Sequence, residues 1–569
     1  LAAALRRDPA RRVGAWAAGA IVAVALGATV AFGIHTRSAE AAGCERAGRP
    51  DGIPWSDAKE AALTRSLVAR GASPALAGHA ARALGSYRHA WSASMTESCL
   101  ATRVRHAQSD EAHGLRAACL EGARRELDEV ERVLEGGDGA ALQRAPTLVA
   151  ELPPLAPCND VSALLATADA HVPPSLRPTL DAVADRLAAA RVAQRAGHIE
   201  ESREALEALF RDVTTVPHAP TRAAVEAELA DGLGRAGRER EGLVHAAAAY
   251  RAAMEAHDYG TAVSALRIAT FLVVARQRDR DRAGAWGEML LAALALVPRR
   301  DDLRTRASAH AAAAFSLAGE HERALGLARE ALASSREVFG ADSVPTQEAL
   351  ASLVTILKSA GRLEEALGYA REEYTLARAT FGDAHPEVAT SCLNIGSLEG
   401  ELGRAEEAIT WTSRALRLFE SSLPPDHPLW TTTASNLASD LSELGRCDEA
   451  VPLAERALRA RRAHDGADAP RAAYPLLALA ECAVARGDTP ATLALTAQIR
   501  ALAATLPKRV TADAWMLEAK ALRLDRRRAP DAARAAREAQ TLFEGEGLLA
   551  EAKIAEALLI TQRTGASPP

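Results

Sequence analysis

Apolar positions in the second half of the chain recur at helical spacing and are interrupted at a fixed interval. The stretch HPEVATSCLNIGSLEGELGRAEEAITWTSRALRLFE, His385 to Glu420, shows the unit. Val388, Leu393, Ile395, Leu398 and Leu402 follow the helical period, which predicts one amphipathic helix. Pro386 suits its first turn, where a missing N–H is not needed. Gly403 predicts its end, in the left-handed conformation that glycine adopts without a Cβ penalty. Glu406 and Glu407 then fall in the first turn of a second helix, where negative charge suits the helix dipole. Leu416 and Phe419 carry the apolar stripe onward.

The same frame returns as LAGEHERAL at Leu317, SAGRLEEAL at Ser359, ELGRAEEAI at Glu401, ELGRCDEAV at Glu443 and, more weakly, ARGDTPATL at Ala485. Gly319, Gly361, Gly403, Gly445 and Gly487 therefore stand 42 residues apart. Ala366, Ala408 and Ala450 keep the same step and are small where paired helices approach closely. A helix pair cannot bury its apolar face alone, so this period predicts stacked pairs, an all-α right-handed solenoid. Gly197 and Gly237 extend the pattern backward and RAPDAARAAREAQTLF, from Arg528, adds a last degenerate second helix, giving about nine pairs from roughly 180 to 565.

The chain opens differently. Val13 to Ile34 holds 22 residues without a charge, about 33 Å as a helix against a bilayer core of about 30 Å. Arg6, Arg7, Arg11 and Arg12 precede it, and only His35 and Arg37 follow closely. The positive-inside rule then predicts a single-pass inner-membrane protein, its N-terminus cytoplasmic and everything after Ile34 extracytoplasmic. A buried Ala-rich helix and a signal peptide ending near Ala39-Glu40-Ala41 are the competing readings. Because the first residue is Leu1 and not Met, the true start is expected upstream. The resulting division is a basic stretch 1–12, a membrane helix 13–34, a helical segment 35–178 and the repeat array 179–569.

The helical segment holds Cys44, Cys99, Cys119 and Cys158, and the array holds Cys392, Cys447 and Cys482. Outside the cytoplasm the first four are disulfide candidates. Cys99 and Cys119 lie equally far from Ser109, so an antiparallel hairpin turning there would pair them and leave Cys44 for Cys158. The alternative is that these cysteines are small buried hydrophobes. ELPPLAPCND at Glu151 and HVPPSLRP at His171 mark the boundary to the array, since proline stops helices.

Composition narrows the function. The chain of 569 residues is 48% hydrophobic but only 4% aromatic, so Ala and Leu carry the burial. Its net charge of −6 gives no electrostatic case for nucleic acid. Neither C-x-x-C nor a Cys/His spacing suggests a metal. The phosphate-binding, dinucleotide-binding, zinc-protease and nucleophile-elbow motifs are all missing, which predicts no cofactor and no catalytic residue in this chain. His385 and His427 precede prolines at helix starts and read as capping or packing residues.

Gly361-Arg362, Gly403-Arg404 and Gly445-Arg446, each followed by EEAL, EEAI or DEAV, resemble the tetratricopeptide repeat in its long, kinesin-light-chain-like form. Ala415-Leu416, Ala457-Leu458, the Asp383-Ala384-His385-Pro386 element and Asp426-His427-Pro428 match further positions. The resemblance implies a concave groove, lined by first helices, that binds a protein or peptide. Asn394 and Asn436, again 42 apart, match the family's first-helix Asn and would clamp a ligand backbone; the bland alternative is a hydrogen bond within the stack. Ser352 and Ala478 depart from that position, so the ladder would have two rungs.

The order LAAALRRDPARR, apolar helix, Cys44, Trp91, Cys99, Cys119-Leu120, the element ending at Asp160, then repeats, resembles the non-catalytic half of bacterial membrane-bound serine/threonine protein kinases. That implies a sensor and scaffold region with its kinase domain upstream. The alternative is a membrane-anchored or secreted adaptor with no linked enzyme.

Overall fold

The computed structural model describes residues 9–49, 55–166, 172–277, 279–297, 300–466 and 469–564. Among these residues the regular structure is helical, with no β-strand. The chain divides into two compact units, Leu1–Gly319 and Glu320–Pro569.

The first unit opens with one long helix, Pro9–Ala47. The expected membrane helix is corrected here: among the described residues no helix is long and apolar enough to cross a membrane. The helix does not stop at Ile34 but runs on through His35, Arg37 and Glu40, and twelve of the 22 uncharged residues are Ala or Gly, which offer little apolar surface. The inner-membrane, single-pass placement falls with it. Arg6 and Arg7 of the basic stretch, and most side chains of Val13–Ile34, lie outside the described residues.

Helices Pro74–Cys99 and Asp110–Gly136 follow, but the expected cysteine pairing is also corrected. Cys44 is bonded to Cys99 and Cys119 to Cys158. The helices are joined by a π-helical turn, Leu100–Val104, and His106 takes a left-handed φ of 51°. These features move the centre of the hairpin from Ser109 to between Arg105 and His106. Trp91 donates its Nε1–H to the Leu120 carbonyl at 2.7 Å, and Ser98 Oγ meets His113 Nδ1 at 2.9 Å. In that register Cys99 lies level with Ala112, not with Cys119, and each cysteine turns to a third element. The remaining helices of this unit pair in sequence, and the first members, Arg177–Ala196, Ala219–Arg235, Tyr259–Phe271 and Asp301–Ala318, touch one another side by side.

The second unit begins with His321–Val338 and continues as regular pairs. These are Val344–Ser359 with Leu363–Phe381, Pro386–Glu401 with Ala405–Ser422, and Pro428–Glu443 with Cys447–Asp465. Ala473–Ala485 with Thr489–Ala501, Lys508–Leu522 with Ala529–Gly545, and a last helix Leu549–Thr564 complete it. From Pro386 onward successive first helices also contact each other, so they form one continuous face. Phe419, Phe543 and the repeat alanines Ala366, Ala408 and Ala450 are fully buried between the pairs.

The repeated Gly-Arg-acidic frame has a structural reason at each position. The glycines at 319, 361, 403, 445 and 487 take φ values of 93°, 74°, 75°, 71° and 70°. At Gly403 this lets Gly403 N–H bond the Gly400 carbonyl and Arg404 N–H the Glu399 carbonyl, both at 2.9 Å, closing the helix end. An arginine beside the glycine reaches back one repeat in three cases: Arg404 after Gly403 pairs with Glu364, Arg446 after Gly445 with Glu406 at 3.8 Å, and Arg486 before Gly487 with Asp448 at 2.9 Å. Arg404 also holds Glu399, 1% exposed, at 3.0 Å, and Arg371 holds its other oxygen at 2.9 Å. A third disulfide, Cys447–Cys482, joins the start of one second helix to the next first helix along the same line. Cys392 is free and buried.

Two outcomes test this account. A Cβ at Gly403 meets no atom within 4 Å, so Gly403→Val acts through its backbone alone. It lowers unfolding free energy by about 1 kcal/mol or more, because a β-branched residue is strained at positive φ; unchanged denaturant midpoints would contradict the cap. Non-reducing peptide mapping recovers Cys44 with Cys99 and Cys119 with Cys158. Replacing Cys119 and Cys158 by Ser destabilises the first unit by on the order of 3 kcal/mol.

Candidate functional site

Each first helix of the second unit buries all but one stripe. On Pro386–Glu401 that stripe is Thr390, Asn394, Ser397 and Glu401; on Pro428–Glu443 it includes Thr432, Asn436, Asp440 and Glu443. The neighbours Cys392, Leu393 and Ile395, like Ser435, Leu437 and Ala438, are buried. Asn394 and Asn436 are half-buried, and among the described residues neither amide has a hydrogen-bond partner. A hydrogen bond within the stack, the alternative role, is therefore not made. Ser352 and the buried Ala478 occupy the flanking steps.

On the Ser352 side of Asn394, Lys358 Nζ donates to Ser397 Oγ at 2.6 Å and pairs with Glu401 at 2.8 Å. Beyond Asn436 the face turns acidic. Burial raises the Asp440 carboxyl to about 7, with Glu443 adding to it and Thr412 opposing. Burial likewise raises Glu481 to about 7 and Asp513 to about 6, and it raises Glu443. Sequence reasoning missed this group, because its members do not share one repeat position. Asp440, Glu481 and Asp513 come together only through the stacking of three first helices.

Behind Asn394 lies a buried polar cluster that the sequence also did not announce. Glu373, 3% exposed, accepts from Ser391 Oγ at 2.8 Å, while its Oε2 and the Oε1 of buried Gln347 have no hydrogen-bond partner among the described residues. Burial pushes the Glu373 carboxyl to about 7, against the Ser391 hydrogen bond and with Glu387 adding. A proton on Glu373 would give one of these acceptors a donor.

His385 and His427 are where helix starts require them. Each Nδ1 accepts a backbone N–H, from Glu387 at 3.1 Å and from Leu429 at 3.2 Å, and His385 stacks on Phe381 at 4.6 Å. Burial lowers the His427 pKa, and His464 adds to the effect. Among the described residues no group of three His, Cys, Asp or Glu side chains is placed to hold a metal ion.

Comparison with known proteins meets the same region. Residues 345–421 match the tetratricopeptide repeat family, and residues 309–344 and 430–468 match it through a second form of the repeat. These segments are tetratricopeptide repeats. No curated protein matches the chain. Among solved structures, tetratricopeptide-like repeats of a putative kinesin light chain from Podosopora anserina are 19% identical, covering 36% of this chain and 96% of theirs, with a TM-score of 0.31. BtubC (BKLC) from P. vanneervenii is 21% identical, covering 44% and 93%, with a TM-score of 0.33. The apo quorum sensor NprR from B. thuringiensis is 14% identical, covering 65% and 99%, with a TM-score of 0.45.

The raised carboxyls predict the pH response of the second unit. A carboxyl whose folded pKa lies above its unfolded value of about 4 binds its proton more tightly in the fold. Glu373, Asp440, Glu481 and Asp513 therefore stabilise the fold at acid pH, and that contribution is lost as pH rises through about 6 to 7. Thermal unfolding of the second unit occurs at a higher temperature at pH 5 than at pH 8, within roughly these limits. Glu373→Gln raises the pH 8 value by about 2 °C or more and flattens the profile; a profile rising toward pH 8 would contradict the burial of these groups.

Proposed function

We propose that this chain is a protein-binding scaffold whose second unit takes an extended peptide along its first-helix face. The observation that carries the reading is the pair Asn394 and Asn436. They stand one repeat apart on touching first helices, with both amides unpartnered among the described residues. Each amide offers one acceptor and two donors, the set that a peptide backbone needs. Adjacent Ser397 and Thr432 keep the face polar, and stacked repeats of this kind present extended surfaces to segments of other proteins.

A finer reading is that a serine/threonine protein kinase domain lies upstream of Leu1 and that this scaffold serves it. It is supported by the order of the basic stretch, the cysteines, the Leu-Pro-Pro-Leu element and the repeats. A coding sequence with a Gly-rich loop, a catalytic His-Arg-Asp and an Asp-Phe-Gly before Leu1 would bear it out. Its absence would leave the adaptor without a linked enzyme.

Selection of displayed random peptides on the purified chain tests the main reading. Enriched peptides bind the Asn394→Ala/Asn436→Ala double variant at least about tenfold more weakly, since each lost backbone clamp removes roughly 1 kcal/mol. Selected peptides that bind this variant as tightly as the unaltered chain would refute it.

A further inference from the structure

The first unit has its own open face, and its charges are almost completely matched. Arg191 meets Glu126 at 3.1 Å and Glu228 at 2.9 Å. Arg195 meets Glu126 at 2.7 Å and Glu151 at 3.0 Å, and Arg235 meets Asp231 at 2.8 Å. Burial works against each of these guanidinium groups, and the carboxylates outweigh it, so all three stay firmly charged.

Arg267 is different. Its helix, Tyr259–Phe271, buries Ala262, Val263, Ala265, Leu266, Ile268, Ala269 and Thr270, and leaves open a stripe of Ser264, Arg267 and Phe271. Among the described residues Arg267 makes no hydrogen bond and no ion pair. Asp231 and Glu228, on the helix to one side, are engaged by Gln194, Arg235 and Arg191. On the other side stand Arg306, of like charge, and His310. His310 Nδ1 lies 2.9 Å from the Arg306 carbonyl, which can only accept, so Nδ1 carries the proton and Nε2 is an acceptor. Burial and the neighbouring Arg267 hold that ring neutral, its pKa lowered to about 4, and its edge packs on Phe271 at 6.2 Å. Asp231, Glu228 and Glu151 act on Arg267 without pairing with it, and burial outweighs them and pulls its guanidinium below the ordinary value, with Arg306 acting in the same direction.

We propose that Arg267 anchors a carboxylate-binding site on the first unit, occupied by an acidic side chain of a peptide segment. The rest of the face supplies the reason for choosing a carboxylate. Every other matched arginine there is held by Glu or Asp, and Arg267 is the place where the alternation lacks its acid. A guanidinium presents a planar fork that fits a carboxylate with two parallel bonds. Phe271 offers an apolar shoulder beside it, and His310 Nε2 an acceptor for a peptide N–H. The site lies in a different unit from Asn394 and Asn436, so it stands or falls separately from the function proposed above.

The test uses the full chain and two fluorescein-labelled, C-terminally amidated peptides, Gly-Ser-Glu-Glu-Ser-Gly and Gly-Ser-Gln-Gln-Ser-Gly, read by anisotropy. The Glu peptide binds, more weakly as salt rises, and the Gln peptide binds about tenfold more weakly or less. Arg267→Gln lowers affinity for the Glu peptide by about tenfold. Asn394→Ala/Asn436→Ala leaves it unchanged. Arg267→Met supplies a second readout: removal of an unpaired, desolvated charge raises the thermal midpoint. Equal binding of both peptides, failure of the Glu peptide to bind, an unaltered affinity in Arg267→Gln, or a lowered midpoint in Arg267→Met would overturn the proposal.

Discussion

A helix that is apolar on one side is stable only against a partner, and each pair in the second unit still leaves apolar surface at its edge. Stacking is the only relief, and everything else follows from how it is kept in step. The left-handed glycine ends the first helices of the regular repeats, at 361, 403, 445 and 487, at the same depth, so the second helix returns at a fixed distance. The buried alanine at 366, 408 and 450 sets how closely it returns. An arginine next to the glycine ties three of these turns to the previous repeat, through Glu364, Glu406 and Asp448. Exposed pairs of this kind contribute at most about 1 kcal/mol each, so they fix register more than they supply stability.

Because first helices stack on first helices, any residue at one repeat position is copied into a row. Asn394 and Asn436 form such a row, and the carboxyls of Asp440, Glu481 and Asp513 form a looser one. The first unit shows the same principle with charges, where Arg191, Asp231 and Arg267 stand on consecutive first helices. Its repeats are less regular, and His257, with a φ of 56°, makes one turn in place of glycine.

What could be read from the sequence was whatever obeyed the period. The glycines, the alanines, the histidine caps and the two asparagines all sit at positions that recur every 42 residues. What escaped was whatever depended on one local departure. The π turn after Cys99 and the left-handed His106 shift the hairpin, and with it the cysteine pairing. The Cys447–Cys482 bond was within reach, since it follows the same repeat-to-repeat line as the arginine pairs. The uncharged run at Val13 was read by its lack of charge, although it is built largely of Ala and Gly and its helix continues into polar sequence. Glu373 and Gln347 give no pattern at all, because they meet across helices of one pair.

Hydrogen–deuterium exchange on the full chain, with and without a peptide taken from selection, examines the central claim most directly. Binding along the first-helix face predicts added protection in Pro386–Glu401 and Pro428–Glu443, with the second helices Ala405–Ser422 and Cys447–Asp465 little changed. Protection confined to those second helices, or spread evenly over the unit, would contradict it.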